Sequence, residues 1–188
     1  HRTVCFFAGL VCQVSLFLSR LSGVESVTGA ELPTVPLSHS LIGVGILIGL
    51  LLAAILPTLP RRGRAAMASF AFMTSAALLA YFTGGFIEAH FVYFIGVGYV
   101  ALYEDWVPFA VAIGYVGGQH SIFGLIEWFS VYNHQAAMAN PVVWGGIHAV
   151  GVTLLSLAIL FHWQSLATAR DDVEAQMDEV EQAQAEIE

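Results

Sequence analysis

The feature that most constrains this chain is a series of apolar segments, each close to the roughly 20 residues that a helix needs to cross a bilayer. The sequence has 188 residues, of which 57% are hydrophobic and only 11% are charged, and it contains no lysine. A soluble domain usually carries about 25% charged residues. The sequence therefore predicts an all-α integral membrane protein rather than a soluble domain.

Proline, glycine and charged residues divide the apolar sequence into six predicted helices. Pro57 and Pro60 follow the second helix, Gly84-Gly85 separates the third from the fourth, and Asn140-Pro141 opens the sixth. We predict a six-helix transmembrane sensor domain over residues 1–163, followed by the start of a signalling coiled coil over residues 164–188. The first, second, fourth and sixth predicted spans are approximately residues 3–21, 38–56, 86–103 and 141–163. The third follows the turn at residues 60–64 and ends near residue 83, and the fifth has Pro108 in its first turn and ends near residue 128.

The arginines predict the direction of these spans. Arg61, Arg62 and Arg64 lie in one short loop, and Arg170 follows the sixth span. Six spans place both sites on one side, which the positive-inside rule assigns to the cytoplasm, with Arg20 as the exception. We therefore expect a multi-pass protein of the plasma membrane with both termini in the cytoplasm.

The negative charge of the chain belongs to its C-terminal segment. The formal net charge is −8, and eight of the fourteen Asp and Glu residues lie between Asp171 and Glu188. The other six are balanced by six arginines, so the membrane part is neutral. An acidic segment of this kind argues against a nucleic-acid partner.

The same C-terminal segment has a heptad pattern. Its seam positions alternate spacings of four and three residues, as in a coiled coil with two polar interruptions. We expect a homodimer through this segment, leading to downstream signalling domains, and the alternative is a solvated helix end. The seam consists of Leu166, Arg170, Val173, Met177, Val180, Gln184 and Ile187.

Five of the seven histidines fall in the outer half of the predicted bundle, with a glutamate beside them. At about 1.5 Å per residue, His120 lies ~12 Å and His148 ~10 Å below the outer surface. Ionisable groups inside a membrane are costly, so they indicate a functional site. The remaining members of this layer are predicted at or near the outer surface: His39, Glu88, His90 and His134.

Three chemistries fit such a layer, namely haem, a non-haem metal ion and a proton relay. His120 and His148 share a depth on consecutive antiparallel helices and each follows a glycine pair, so we expect them to hold haem b. The glycines serve either close helix packing or room for a flat ligand. The four residues nearer the outer surface predict a second, shallower metal site. The alternative to haem is a non-haem copper, iron or zinc ion. Structural hydrogen bonding is the alternative for each histidine taken alone.

The residues between Thr83 and His148 also carry a family resemblance. The strings Gly84-Gly85-Phe86-Ile87-Glu88-Ala89-His90-Phe91 and Leu102-Tyr103-Glu104-Asp105-Trp106 resemble the six-span membrane input domain of methyl-accepting chemotaxis, histidine kinase and diguanylate cyclase sensors. The lysine-free membrane part and acidic tail resemble haloarchaeal oxygen-taxis transducers. Relatives often have His-Phe-His-Phe where this chain has His90-Phe91-Val92-Tyr93.

This resemblance implies a sensor of oxygen or redox state that uses a bound metal or haem. We predict that a small gaseous or redox ligand acts at the histidine layer and that the signal passes through helix six. The chain itself is then not an enzyme. The alternative is a zinc-dependent intramembrane hydrolase with Glu88 as general acid or base, and a transporter is the third class, although no inverted repeat is visible.

Overall fold

The computed structural model describes residues 2–18, 25, 27, 29, 31–126 and 131–187, and the regular secondary structure within these ranges is helical apart from an isolated bridge. This confirms the all-α fold class. The helices are α1 (Arg2–Leu18), α2 (Leu37–Ile55), α3 (Arg61–Phe82), α4 (Ile87–Ala101), α5 (Trp106–Ile126), α6 (Gln135–Ala139) and α7 (Pro141–Ile187).

Four of the described helices are long and apolar enough to cross a membrane, namely α2, α3, α5 and α7. The predicted first and fourth spans correspond to apolar helices that are shorter than 18 residues. The α4 helix has 15 residues, which at about 1.5 Å each gives roughly 22 Å, less than the ~30 Å hydrocarbon layer. The end predicted for the first span, at Leu21, lies outside the described residues. The short α6 was not predicted from the sequence.

The α3 helix is the most enclosed of the four long apolar helices. In its most apolar stretch of 18 residues 61% are buried, whereas the corresponding fraction of α2 is 22%. It packs against α1, α2, α4 and α5. Small residues allow this close packing, and a Cβ added to Gly96 of α4 would lie 2.5 Å from Met73 and 2.6 Å from Phe72 of α3. By contrast, Leu41, Ile42 and Ile46 of α2 are exposed, as expected for side chains that face lipid.

The turn between α3 and α4 depends on two glycines with positive φ. Gly84 has φ of 65° and Gly85 has φ of 78°, a conformation that only glycine adopts readily. Their amides bond back to the end of α3, at 3.0 Å to the Tyr81 oxygen and 2.7 Å to the Ala80 oxygen. The predicted break at Gly84-Gly85 is therefore a capped helix end.

The turn between α4 and α5 is held by one carboxylate. Asp105 accepts a hydrogen bond from the Val107 amide at 3.0 Å and forms an ion pair with Arg62 at 2.8 Å. The Val107 amide contributes most to lowering the pKa of Asp105, and Arg62 lowers it further. Asp105 thus caps the start of α5, whereas Arg62 and its neighbouring arginines lie in the first turn of α3 rather than in the predicted loop.

The last helix is continuous from Pro141 to Ile187. It crosses the boundary between two compact units, the first of which ends at Val152 while the second begins at Thr153. Pro141 occupies the first helical position, where its missing N–H costs little, as the sequence predicts. Along the second unit, Val173, Met177 and Val180 are exposed at 55%, 60% and 57%.

Candidate functional site

Three histidine rings from three different helices lie together inside the first unit. They are His90 of α4, His120 of α5 and His148 of α7, and we call them the histidine triad. The ring centroids are 5.3 Å apart for His90 and His120, 5.5 Å for His90 and His148, and 5.1 Å for His120 and His148. The sequence predicts His120 and His148 side by side, and the structure places them so. It also places His90 beside them rather than in a shallower group.

The same local hydrogen bond orients each ring. In every case Nδ1 bonds to the backbone carbonyl oxygen four residues earlier in the helix. Because a carbonyl oxygen only accepts, Nδ1 carries the proton, and in the neutral ring Nε2 is left with a free lone pair. The three bonds join His90 to Phe86 at 2.9 Å, His120 to Val116 at 3.0 Å and His148 to Trp144 at 2.8 Å.

Two of these Nε2 atoms are buried without a hydrogen-bond partner. His90 is 4% exposed and His120 is 6% exposed, and neither Nε2 makes a hydrogen bond of ordinary length in the described part of the chain, although the Val131 backbone carbonyl is a neighbour of the His90 ring. An unsatisfied buried acceptor costs about 1–3 kcal/mol. A shared cation would remove that cost for both, since the neutral Nε2 of histidine is a common metal ligand.

The spacing of the rings favours a bare ion over a haem iron. Metal–nitrogen bonds of about 2 Å in a tetrahedral arrangement put ring centres roughly 5 Å apart. Two axial imidazoles on opposite faces of a haem need roughly 6 Å with the porphyrin between them. The triad has the shorter spacing on all three sides.

The contacts of the triad do not by themselves define a metal site. Among the described residues, no group of three or more His, Cys, Asp and Glu side chains is arranged to hold a metal. Metal and haem binding consequently stay predictions.

Two tyrosines lie next to the triad, and sequence reasoning missed both. The Tyr93 ring is 5.1 Å from that of His120, and its hydroxyl is buried without a partner in the described structure. The Tyr132 ring is 6.2 Å from that of His148. A sequence signal existed for Tyr93, which follows His90 by three residues and so shares its face of the helix.

The loop that contains Tyr132 packs against the α3–α4 turn. Val131 and Tyr132 are buried, and a Cβ on Gly85 would lie 2.6 Å from the Tyr132 nitrogen and 2.7 Å from the Val131 carbonyl carbon. Gly85 therefore has two reasons to be glycine, its positive φ and this close approach. The consequence is close backbone packing between this loop and the turn that precedes His90.

The residues predicted for a shallower metal site have separate local partners. His39 Nδ1 lies 2.6 Å from the Tyr81 hydroxyl, and Glu88 accepts a hydrogen bond from the Val27 amide at 2.6 Å. His134 caps α6 by accepting from the Ala137 amide at 3.3 Å, and its ring lies 4.4 Å from that of Trp144. The structure thus moves His90 to the triad and leaves His39, Glu88 and His134 apart from it.

The glycines beside the deep histidines do not serve close helix packing. A Cβ on Gly117, Gly118 or Gly146 would meet nothing within 4 Å. Gly124 and Gly145 instead face the Tyr132 side chain at 3.3 Å and 3.5 Å. Together with His120, Gly124, Gly145 and Gly146 line a pocket of about 340 Å³ between α5 and α7.

Comparison with known proteins finds one that carries the name of a transducer. It is 43% identical over 192 aligned residues to "Transducer protein Htr8" of Halobacterium salinarum. The chain is related to a haloarchaeal transducer. The alignment covers 100% of this chain and 29% of the relative, so the chain spans about three tenths of that protein's length. This similarity supports a transducer-related family. No family model matches the chain, and no solved structure matches it.

Proposed function

We propose that this chain is the membrane input domain of a signal transducer and that its histidine triad holds a non-haem copper, iron or zinc ion. The observation that carries the metal proposal is the meeting of three imidazoles from separate helices, each with its Nδ1 bonded to its own helix. The relation to a haloarchaeal transducer supports the signalling part.

The chain's own residues would supply three neutral nitrogen donors in an apolar shell. The hydrogen bond from each Nδ1 to a backbone carbonyl fixes the tautomer and the ring, which is how metal-binding histidines are usually supported. A bound ion of this kind supplies a redox or ligand-binding centre. Tyr93 and Tyr132 lie beside these donors, so a small gaseous or redox ligand is the class of signal that we propose for this site.

Haem b on His120 and His148 is the second candidate. The glycine-lined pocket beside His120 favours it, because that pocket gives a flat group an approach to the ring. The ring spacing favours the bare ion. The two candidates differ in their use of His90, which a haem held by His120 and His148 does not need.

The signalling step would follow from the position of His148. This residue and the exposed seam of the second unit lie on one continuous helix, α7. A change at the triad would therefore act directly on the helix that carries the seam, as a two-state switch rather than a long relay. We propose that the seam pairs with a second copy and leads to downstream signalling domains, with both termini in the cytoplasm of a multi-pass plasma-membrane protein.

The competing hydrolase is less well supported by the geometry. A zinc hydrolase needs a general acid or base near the activated water. Glu88, the candidate for that role, accepts a hydrogen bond from the Val27 amide. Catalysis by this chain is not part of the proposal.

Metal content and absorption spectra of purified variants test the cofactor. The wild type and His39→Ala should carry about one metal ion per chain without a Soret band, and His90→Ala, His120→Ala and His148→Ala should lose the ion. A Soret band that persists in His90→Ala but disappears in His120→Ala would establish the haem candidate instead. A wild type with neither metal nor haem, after expression with both supplied, contradicts both candidates.

Cysteine cross-linking in membranes tests the pairing of α7. Met177→Cys lies on the seam, and Glu179→Cys is a matched control two residues away on another face. Oxidation should link two copies through the first variant at least about tenfold faster than through the second, because coiled-coil seams bring equivalent positions together. Equal rates would contradict the proposed dimer.

A further inference from the structure

A second polar pocket lies between α3 and α5. Its volume is about 210 Å³, and its polar lining consists of Thr74 and Tyr81 from α3 with Tyr115 and Gln119 from α5. Four polar side chains around one cavity are unusual in membrane-crossing helices, where such residues are expensive and usually functional.

Two of these side chains have buried polar atoms that lack a partner. Thr74 is 8% exposed, and its Oγ1 has the Tyr115 hydroxyl as a neighbour but makes no hydrogen bond of ordinary length within the described residues. The buried Oε1 of Gln119 also makes none within these residues. Polar residues on neighbouring membrane helices usually bond to one another, and a direct bond between these atoms would have satisfied both. They therefore need a third group.

One end of the pocket leads to an exposed residue. Tyr81 lines the pocket, and its hydroxyl lies 2.6 Å from Nδ1 of His39. His39 is exposed near the start of α2. The polar groups thus continue from an exposed histidine, through a tyrosine, to the unpartnered atoms inside.

We propose that this pocket is a hydration site that takes up water from the side of the membrane where His39 lies, with the His39–Tyr81 hydrogen bond at its mouth. At roughly 30 Å³ per molecule, the cavity has room for about seven waters. Water donates and accepts hydrogen bonds, so it can satisfy a hydroxyl and an amide oxygen together. A lipid acyl chain, the other available occupant, satisfies neither.

The pocket would also bring water close to the histidine triad. Gln119 directly precedes His120 in α5, and the His120 ring lies 5.1 Å from the ring of the buried Tyr93. A hydrated pocket at this place provides a route by which protons reach the surroundings of the triad. The inference does not depend on a metal at the triad.

Reactivity of introduced cysteines tests the proposal. The native thiols, Cys5 and Cys12, are free and are first replaced by alanine. Thr74→Cys and Ala77→Cys then place a thiol at the pocket. Ala77→Cys adds a single sulfur atom to a small residue, so we expect it to preserve the fold. Ile122→Cys, on the exposed side of α5 at 56% exposure, is the control.

The probe is a small, charged, membrane-impermeant methanethiosulfonate added to vesicles on the His39 side. Only a thiolate reacts, and a thiolate forms in water but not in hydrocarbon. Both pocket cysteines should react at least about tenfold faster than Ile122→Cys, although the control is nearer the end of its helix. Reaction of the pocket cysteines at the control rate would overturn the proposal.

Two further variants test where water enters the pocket and whether the reactivity of the pocket depends on metal binding. Tyr81→Phe removes the hydrogen bond to His39 and should raise the reaction rate of Ala77→Cys several-fold, whereas an unchanged rate would mean that water does not enter there. His120→Ala should leave that rate unchanged while metal content falls. Loss of reactivity in His120→Ala would show that the pocket is not an independent site.

Discussion

The histidines of this chain fall into two groups that share a residue type but not an environment. His120 and His148 lie inside helices and His90 ends the first turn of α4, and each directs Nδ1 to a carbonyl four residues earlier. His39 and His134 also lie at helix starts, where one bonds to a tyrosine and the other caps α6. The difference between the groups is the partner of Nδ1, which is a backbone carbonyl in the triad and a side chain or a backbone amide in the other two.

The physical reason is which backbone groups are free to form hydrogen bonds with the ring. Helix starts offer free backbone amides, which a histidine nitrogen can accept from. In a helix interior the amides are already used, so the ring can only donate back to a carbonyl. Its Nε2 must then be satisfied by another element, a ligand or an ion. The triad collects three such nitrogens at one place.

The largest expected effect is on metal affinity. Replacing any triad histidine by alanine removes one of three proposed ligands, and we expect a loss of more than about 100-fold, since even outer-shell changes cost 10–100-fold. His39→Ala and His134→Ala should change affinity by less than about threefold. Competition with a calibrated chelator measures both. Equal losses in the two groups would remove the distinction between them.

The next effect concerns the loop that covers the triad. Gly85→Ala combines a positive φ of 78° with a Cβ placed 2.6 Å from a backbone nitrogen, so it should destabilise the fold by about 2 kcal/mol or more. Gly146→Ala is the matched control, because its Cβ would meet nothing within 4 Å, and alanine in a helix is favoured by up to about 1 kcal/mol. The unfolding temperature in detergent should fall for Gly85→Ala and rise for Gly146→Ala.

A smaller effect is expected at the α6 cap. His134→Ala removes the side-chain acceptor for the Ala137 amide, and loss of a cap costs about 1 kcal/mol. His134→Asn keeps an acceptor at the same position and should recover most of that stability. Both variants should bind metal as the wild type does. If His134→Ala lost metal while retaining stability, His134 would belong with the triad.

The smallest effect is expected for the His39–Tyr81 pair. His39 is exposed, so its hydrogen bond to Tyr81 competes with water, and the net value of such a bond is about 0.5–1.5 kcal/mol. A double-mutant cycle with His39→Ala and Tyr81→Phe should give a coupling energy at the low end of that range. A coupling above about 2 kcal/mol would mean that this pair is shielded from water and is not peripheral.

The sequence by itself determined where most helices begin and end. Pro60, Gly84-Gly85 and Pro141 mark boundaries that the structure has within one or two residues, because proline and glycine act locally on the backbone. The all-helical class followed from the apolar segments in the same way. The positions of His120 and His148 along their helices also followed from the sequence, since rise per residue is fixed in a helix.

Only the tertiary structure decided which side chains meet. His90 and Glu88 are two residues apart, and about 200° of helix rotation separates them. Sequence placed both in one shallow group, whereas packing turned His90 toward His120 and His148 and left Glu88 to accept from Val27. The sequence sets the depth of a residue along its helix axis. The face that a helix turns to its neighbours depends on contacts such as Gly96 against Phe72, which form only when the helices pack.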